Sequence, residues 1–180
     1  MPPPPAYCRS SVVQGVFAGA RAMPPARQTL QARSSGGPFG QQPGRSIQRR
    51  AGLEAFQVNL AAKSGGWPLP RDVKSKMESA LGSDFSDVRI HVGPEAAAIG
   101  AIAFTWGSNI HFAPGQYNPH TFEGQSLLGH ELAHVVQQRA GRVSNPFGSG
   151  VAVVQDQALE AEADRLGRQA AASRVSVASA

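Results

Sequence analysis

From residue 70 onward the apolar positions fall into two rhythms. Pro70, Val73, Met77, Ala80 and Leu81 recur at helical spacing, with Pro70 near the first turn and Gly82 just past the end, so a helix is predicted over 70–81. Val88, Ile90 and Val92 then alternate with Asp87, Arg89 and His91, the period of a half-buried strand, which would turn His91 to the surface. Pro94 opens an alanine-rich helix to about residue 102. Residues 104–106 and 110–112 read as the arms of a hairpin around Gly107 and Ser108, whose exposed edge would suit an extended peptide. After a loop over 114–119, helical spacing resumes behind Thr121, an N-cap by type, and stops at Gly141. An apolar run over 151–154 precedes a last helix, about 156–171, with Leu159, Ala163, Leu166 and Ala170 as its buried stripe.

Residues 1–65 lack either rhythm. They are rich in Pro, Gly, Gln, Ser and Arg, and read as a disordered arm with at most a short helix over 53–62, ended by Gly65 and Gly66. The expected organisation is an arm over 1–65, a folded domain over 66–172 and a frayed tail over 173–180.

Charge changes the picture once it is divided along the chain. The net charge of +5 resides in the arm, where residues 1–53 hold seven arginines and no acid; residues 54–180 hold ten basic against twelve acidic side chains. A charged nucleic-acid groove in the folded part is therefore not expected, and salt-dependent binding through the arm is a weaker third reading. Cys8 is the only cysteine, which leaves no internal disulfide. No apolar run approaches the ~20 residues of a transmembrane segment. The apolar stretch near Val12, Val13 and Val16 is short and interrupted by Gln14 and glycines, an unconvincing signal peptide.

The chemistry concentrates in GHELAHVVQQ, residues 129–138. His130 and His134 stand four apart, so on a helix both imidazoles share one face, while Leu128, Leu132, Val135 and Val136 gather on the opposite one. At this composition roughly 0.005 chance occurrences of His-Glu-x-x-His are expected, so the spacing is not accidental. Two such histidines can grip one zinc ion per chain, and Glu131 is placed to act as the base toward a water held there. A catalytic zinc site needs a third protein ligand. In the last helix Glu160 and Asp164 share one flank, with Gly167 permitting close helix approach, and Glu162 lies on the other; only one of the two glutamates can readily face the metal.

HELAH followed by Glu-x-x-Ala-Asp over 160–164 resembles the gluzincin class of metallopeptidases. The resemblance implies His130, His134 and Glu160 as zinc ligands, Glu131 as the base and Asp164 as the residue that orients a ligating histidine. It also implies a zincin-like α+β fold, with a small antiparallel sheet or hairpin packed on the His-Glu-x-x-His helix and a downstream Glu-bearing helix. Over about 68–140, PLPRDVKSKMESALGSDFSDVRIHVG, AFTWGSNIHFAPGQYNP and GQSLLGHELAHVVQQ resemble the bacterial eCIS core domain, associated with extracellular contractile injection systems and first catalogued as a domain of unknown function. That resemblance implies a bacterial protein, toxin-associated or injection-system cargo, held in the cytoplasm before export by the apparatus.

Two functions compete. One is a zinc metallopeptidase acting on a polypeptide substrate or on itself, for which His91, His111, His120 and Tyr117 are oxyanion donors by residue type only. The other is a non-catalytic zinc-binding docking or cargo module, whose metal would be closed by a fourth protein ligand.

Overall fold

Alternating apolar positions become strands only where neighbouring strands complete them, and here the neighbours come from both ends of the chain. The structure, a computed structural model, describes residues 12–17, 47–50, 53–61 and 63–174. In chain order these form β1 (Val12–Phe17), β2 (Ile47–Arg50), β3 (Leu53–Val58), α1 (Arg71–Leu81), β4 (Arg89–Val92), α2 (Pro94–Ala98), β5 (Ala101–Trp106), β6 (Asn109–Phe112), α3 (Phe122–Arg139), β7 (Val151–Asp156) and α4 (Gln157–Ala172).

The fold is α+β. Among the described residues, four helices pack against one mixed sheet of order β2-β3-β7-β1-β5-β6-β4. The hairpin expected around Gly107 is present, with β5 antiparallel to β6 and Thr105 opposite Ile110. The sheet as a whole is neither small nor purely antiparallel, because β4 runs parallel to β6 and β1 parallel to β7.

Two expectations about the arm are corrected. Val12–Phe17 is a strand seated between β5 and β7, although its sequence offers little alternation; pairing on both sides supplies the order that side-chain pattern alone does not. Leu53–Val58 is a strand rather than part of a helix: Leu53, Ala55, Phe56 and Val58 suit either period, and pairing with β7 from Leu53 opposite Asp156 to Val58 opposite Val151 decides it. The apolar stretch read against a signal peptide lies partly, and Cys8 and residues 175–180 wholly, outside the described residues.

Both faces of the sheet are covered. On one face Ile90, Ala103, Ile110 and Phe112 meet Val73 and Met77 of α1 and Leu128, Leu132 and Val135 of α3. On the other, Val13, Phe104 and Val153 meet Ala96 of α2. This explains why His91 is buried rather than at the surface. Its strand is half polar by sequence, yet its polar face is also interior, where the ring stacks on His111 at 4.6 Å and His111 stacks on Phe104 at 4.5 Å. The alanine-rich helix is shorter than its composition implies, since Gly100 at φ +78° turns the chain so that β5 can begin at Ala101.

Helices α3 and α4 position the site. Thr121 caps α3, its hydroxyl accepting from the Gly124 amide at 3.1 Å; Asp156 caps α4 by accepting from the Ala158 and Leu159 amides at 2.9 and 3.2 Å. The two helices cross where glycine meets glycine: a Cβ on Gly129 would lie 2.9 Å from the Gly167 Cα, and one on Gly167 would lie 2.7 Å from the His130 amide nitrogen.

Candidate metal centre

Close approach of α3 and α4 brings three donor atoms together. His130 Nε2 and His134 Nε2 are 2.9 Å apart, and Glu160 Oε2 lies 3.3 Å from the first and 3.4 Å from the second. Ligands bonded to zinc at about 2.0–2.1 Å in a tetrahedron stand about 3.3 Å from one another, so this triangle has the dimensions of one tetrahedral face. These three residues form a possible metal-binding triad.

Each ring is fixed from behind. His130 Nδ1 lies 2.9 Å from Asp164 Oδ1, and because a carboxylate only accepts, that nitrogen carries the proton. His134 Nδ1 lies 2.8 Å from Gln137 Oε1, while the Gln137 amide nitrogen donates to the Leu159 carbonyl at 3.0 Å and to Glu162 Oε2 at 2.9 Å. With its amide so oriented, Gln137 can only accept from His134. In the neutral rings both Nε2 lone pairs therefore point into the triangle, the tautomer a metal requires. Arg142 donates to the same Glu162 oxygen at 2.6 Å and holds the relay in place.

The electrostatics suit a cation. Glu160 is pushed down to about 2: burial opposes its charge, but His130 and His134, which when protonated donate from Nε2 to its carboxylate, overcome that cost. Its Oε1 is buried and has no hydrogen-bond partner among the described residues, an orphan that a bound ion or its water would satisfy. For His130, burial disfavours the charged ring, yet the hydrogen bond to Glu160 and the nearby charges of Glu131, Glu160 and Asp164 prevail and raise its pKa. The Glu160 side chain is 24% exposed, which leaves the triangle reachable from the α4 side.

Glu131 occupies different ground. It is 0% exposed and points at the sheet, where the Thr105 hydroxyl donates to its Oε2 at 2.7 Å and the Val16 amide of β1 lies 3.4 Å from its Oε1. Burial raises its pKa, against the pull of His130, His134 and the Thr105 hydrogen bond.

The structure thus gathers His130, His134, Glu160 and Asp164 as the motif implies, and separates Glu162, which serves Gln137. It does not bring the four oxyanion candidates to the triangle. His91 and His111 form their stack on the sheet's other face, His120 faces Asp72 at 3.8 Å, and Tyr117 packs on Phe112 at 5.1 Å. Two contributors escaped the sequence reading. Gln137 was detectable, since it follows His134 by three residues and shares its face; Thr105 was not, because only strand pairing sets it against Glu131.

Residues 68–142 match the family model of the eCIS core domain, which links this stretch to contractile injection systems. Comparison with curated proteins and with solved structures finds no match. The matched stretch runs from before α1 to the end of α3. It includes Thr105, His130, Glu131, His134 and Gln137, and leaves Glu160, Asp164 and strands β1, β3 and β7 outside.

Proposed function

We propose that this chain carries a zinc-dependent peptide hydrolase site of gluzincin type, in a bacterial protein that serves a contractile injection system and waits in the cytoplasm before export by it. The observation that supports this reading best is the triangle itself: two imidazoles with both Nδ1 atoms engaged outward and both Nε2 atoms facing Glu160 Oε2 at 3.3 and 3.4 Å.

Bound there, one zinc ion per chain would supply a Lewis acid that polarises a scissile carbonyl and acidifies water. His130, His134 and Glu160 would hold the ion, and Asp164 and Gln137 keep the two rings from turning. Glu131 takes a proton from water and delivers it to the departing amine. Its raised pKa suits that task, because a carboxylate that binds its proton more tightly is the stronger base, and the Thr105 hydroxyl fixes one oxygen so that the other does the shuttling. The substrate is a polypeptide, in another protein or in this chain itself, with no specific nucleic-acid partner. Among the described residues no helix is long and apolar enough to cross a membrane.

The test is metal analysis of purified protein together with a peptide-library cleavage screen. About one zinc per chain and cleavage that disappears in Glu131→Gln, with zinc retained, are the expected results. A second reading, the non-catalytic docking or cargo module, is favoured by one observation: Glu131 is sealed from solvent beneath β1. It predicts zinc with no cleavage of any peptide, and loss of loading onto the injection apparatus when His130 is replaced.

A further inference from the structure

The strand that seals Glu131 is supplied from outside the matched stretch. Within residues 68–142 the sheet runs β4-β6-β5, and β5 would be one of its two edges, the one beside Glu131. An open edge is a template for an extended peptide, whose main chain pairs with it and whose alternate side chains set specificity. β1 takes that place, antiparallel to β5, with Gln14 opposite Thr105, Gly15 opposite Phe104 and Val16 opposite Ala103.

Three features distinguish β1 from an ordinary interior strand. First, among the described residues β7 pairs with it at Val12 and Val13, and the segment from Gly15 to Phe17 is laddered on the β5 side. Second, beyond the residues paired with β7, the Val16 amide meets Glu131 Oε1 at 3.4 Å, so the Gly15–Val16 peptide lies over the carboxylate assigned as base. The nitrogen of that peptide stands where a departing amine would receive its proton. Third, the pairing with β5 shifts register between Val16 and Phe17, and such bulges re-aim the backbone beside functional groups. The fit at Gly15 is close: a Cβ there would lie 2.4 Å from the Ala103 carbonyl oxygen and 2.5 Å from the Phe104 Cα, so only glycine seats without moving β5 backbone.

We propose that the channel between β5 and β7 is the peptide-binding groove of this site, and that Val12–Phe17 fills it in cis as a substrate-like strand. This assignment rests on the reading of Glu131 as the base. The groove takes an extended peptide antiparallel to β5 with glycine opposite Phe104, and it receives another peptide only after β1 withdraws. Withdrawal is felt at the metal ligands, since Gln14 Nε2 lies 3.4 Å from Gln137 Oε1, the atom that holds His134.

Strand exchange tests this without any metal. A specific protease site is inserted between Leu30 and Gln31 of the full chain, and the folded protein is nicked so that β1 remains by pairing alone. A fluorescein-labelled peptide of residues 10–19, added in excess, is expected to replace the nicked fragment and co-elute with the protein. The same peptide with Gly15→Val should bind at least ~10-fold more weakly, because its added methyl groups meet β5 backbone. Retention of the original fragment against excess peptide would overturn the proposal, as would equal uptake of the two peptides. Zinc-dependent hydrolysis of a library peptide is then measured before and after the fragment is removed. A rise supports both assignments; exchange with glycine preference but without hydrolysis removes the hydrolase reading and leaves the groove standing.

Discussion

Two imidazole Nε2 atoms 2.9 Å apart, with a carboxylate oxygen beside them, make a costly arrangement unless a proton or a metal ion sits among them, so each residue behind the triangle has a measurable share in it. Glu160→Gln removes a ligating charge and is expected to weaken zinc binding by more than about 100-fold, whereas Glu162→Gln, which keeps an acceptor for Gln137, should leave it little changed. Gln137→Leu and Asp164→Asn each lose a support for one ring, for which about 10- to 100-fold is expected. The Gln137 effect should be the larger, since Asp164 is half exposed and water can stand in for it, while Gln137 is buried. Competition titration with a zinc-chelating dye reads all four, and a Glu162 variant weaker than the Glu160 variant would reverse the ligand assignment. The pairs His130 with His134 and Glu160 with Asp164 were legible from helical spacing, and the choice of Glu160 over Glu162 came from the gluzincin resemblance. Thr105 was not, because its role depends on a strand register that no local pattern encodes.

Elements carry the next set of consequences. The crossing of α3 on α4 depends on Gly129 and Gly167, and a methyl group at Gly167 would come within 2.4 Å of the Ser126 carbonyl oxygen. Gly167→Ala should therefore push α4 away from α3, cost about 1–3 kcal/mol and draw Glu160 off the histidines, so that melting temperature and zinc affinity fall together. A variant that melts lower but binds zinc as before would show that the crossing serves packing alone. This contact was readable from the glycine's place on the Glu160 flank. The stack of His91, His111 and Phe104 was not, since period-two alternation says nothing about whether the polar face of a strand is also covered. His111 is pulled down to about 4, by burial first and then by the neighbouring His91 and Lys63, against Glu95. Its folded pKa lies below the ordinary 6.5, so the unfolded chain binds the proton first as pH falls. The stability from this group is complete above about pH 6.5 and drains away toward pH 4, a loss on the order of 1–3 kcal/mol. His111→Phe keeps the stacked ring and removes the titration, and melting curves between pH 7.5 and 4.5 should decline less steeply for it than for the wild type.

At the scale of the whole molecule, composition and topology disagree about the arm. Residues 1–53 carry seven arginines and no acid, and by composition they should be dispensable. Yet Val12–Phe17 joins the β7 side of the sheet to the β5 side, so the element least visible in the sequence connects the two halves of the fold. Low local propensity hid it, because a strand ordered by partners on both sides needs little pattern of its own. Deleting residues 1–53 should consequently destabilise the domain. Exposure of the sites that bury Val12 and Val13 alone costs about 3 kcal/mol, which for a chain of this size lowers Tm by about 6–12 °C. If β1 binds its groove as a peptide would, stability should return by mass action: synthetic peptide of residues 10–19 added to the truncated protein should raise Tm progressively with concentration, about 2.7 kcal/mol being recovered at 100 times the dissociation constant. Scanning calorimetry over a peptide titration measures this directly. Coincident melts of the full and truncated chains would mean that β1 adds nothing to the fold, whereas a lowered Tm that no concentration of peptide restores would make it an ordinary strand of the core.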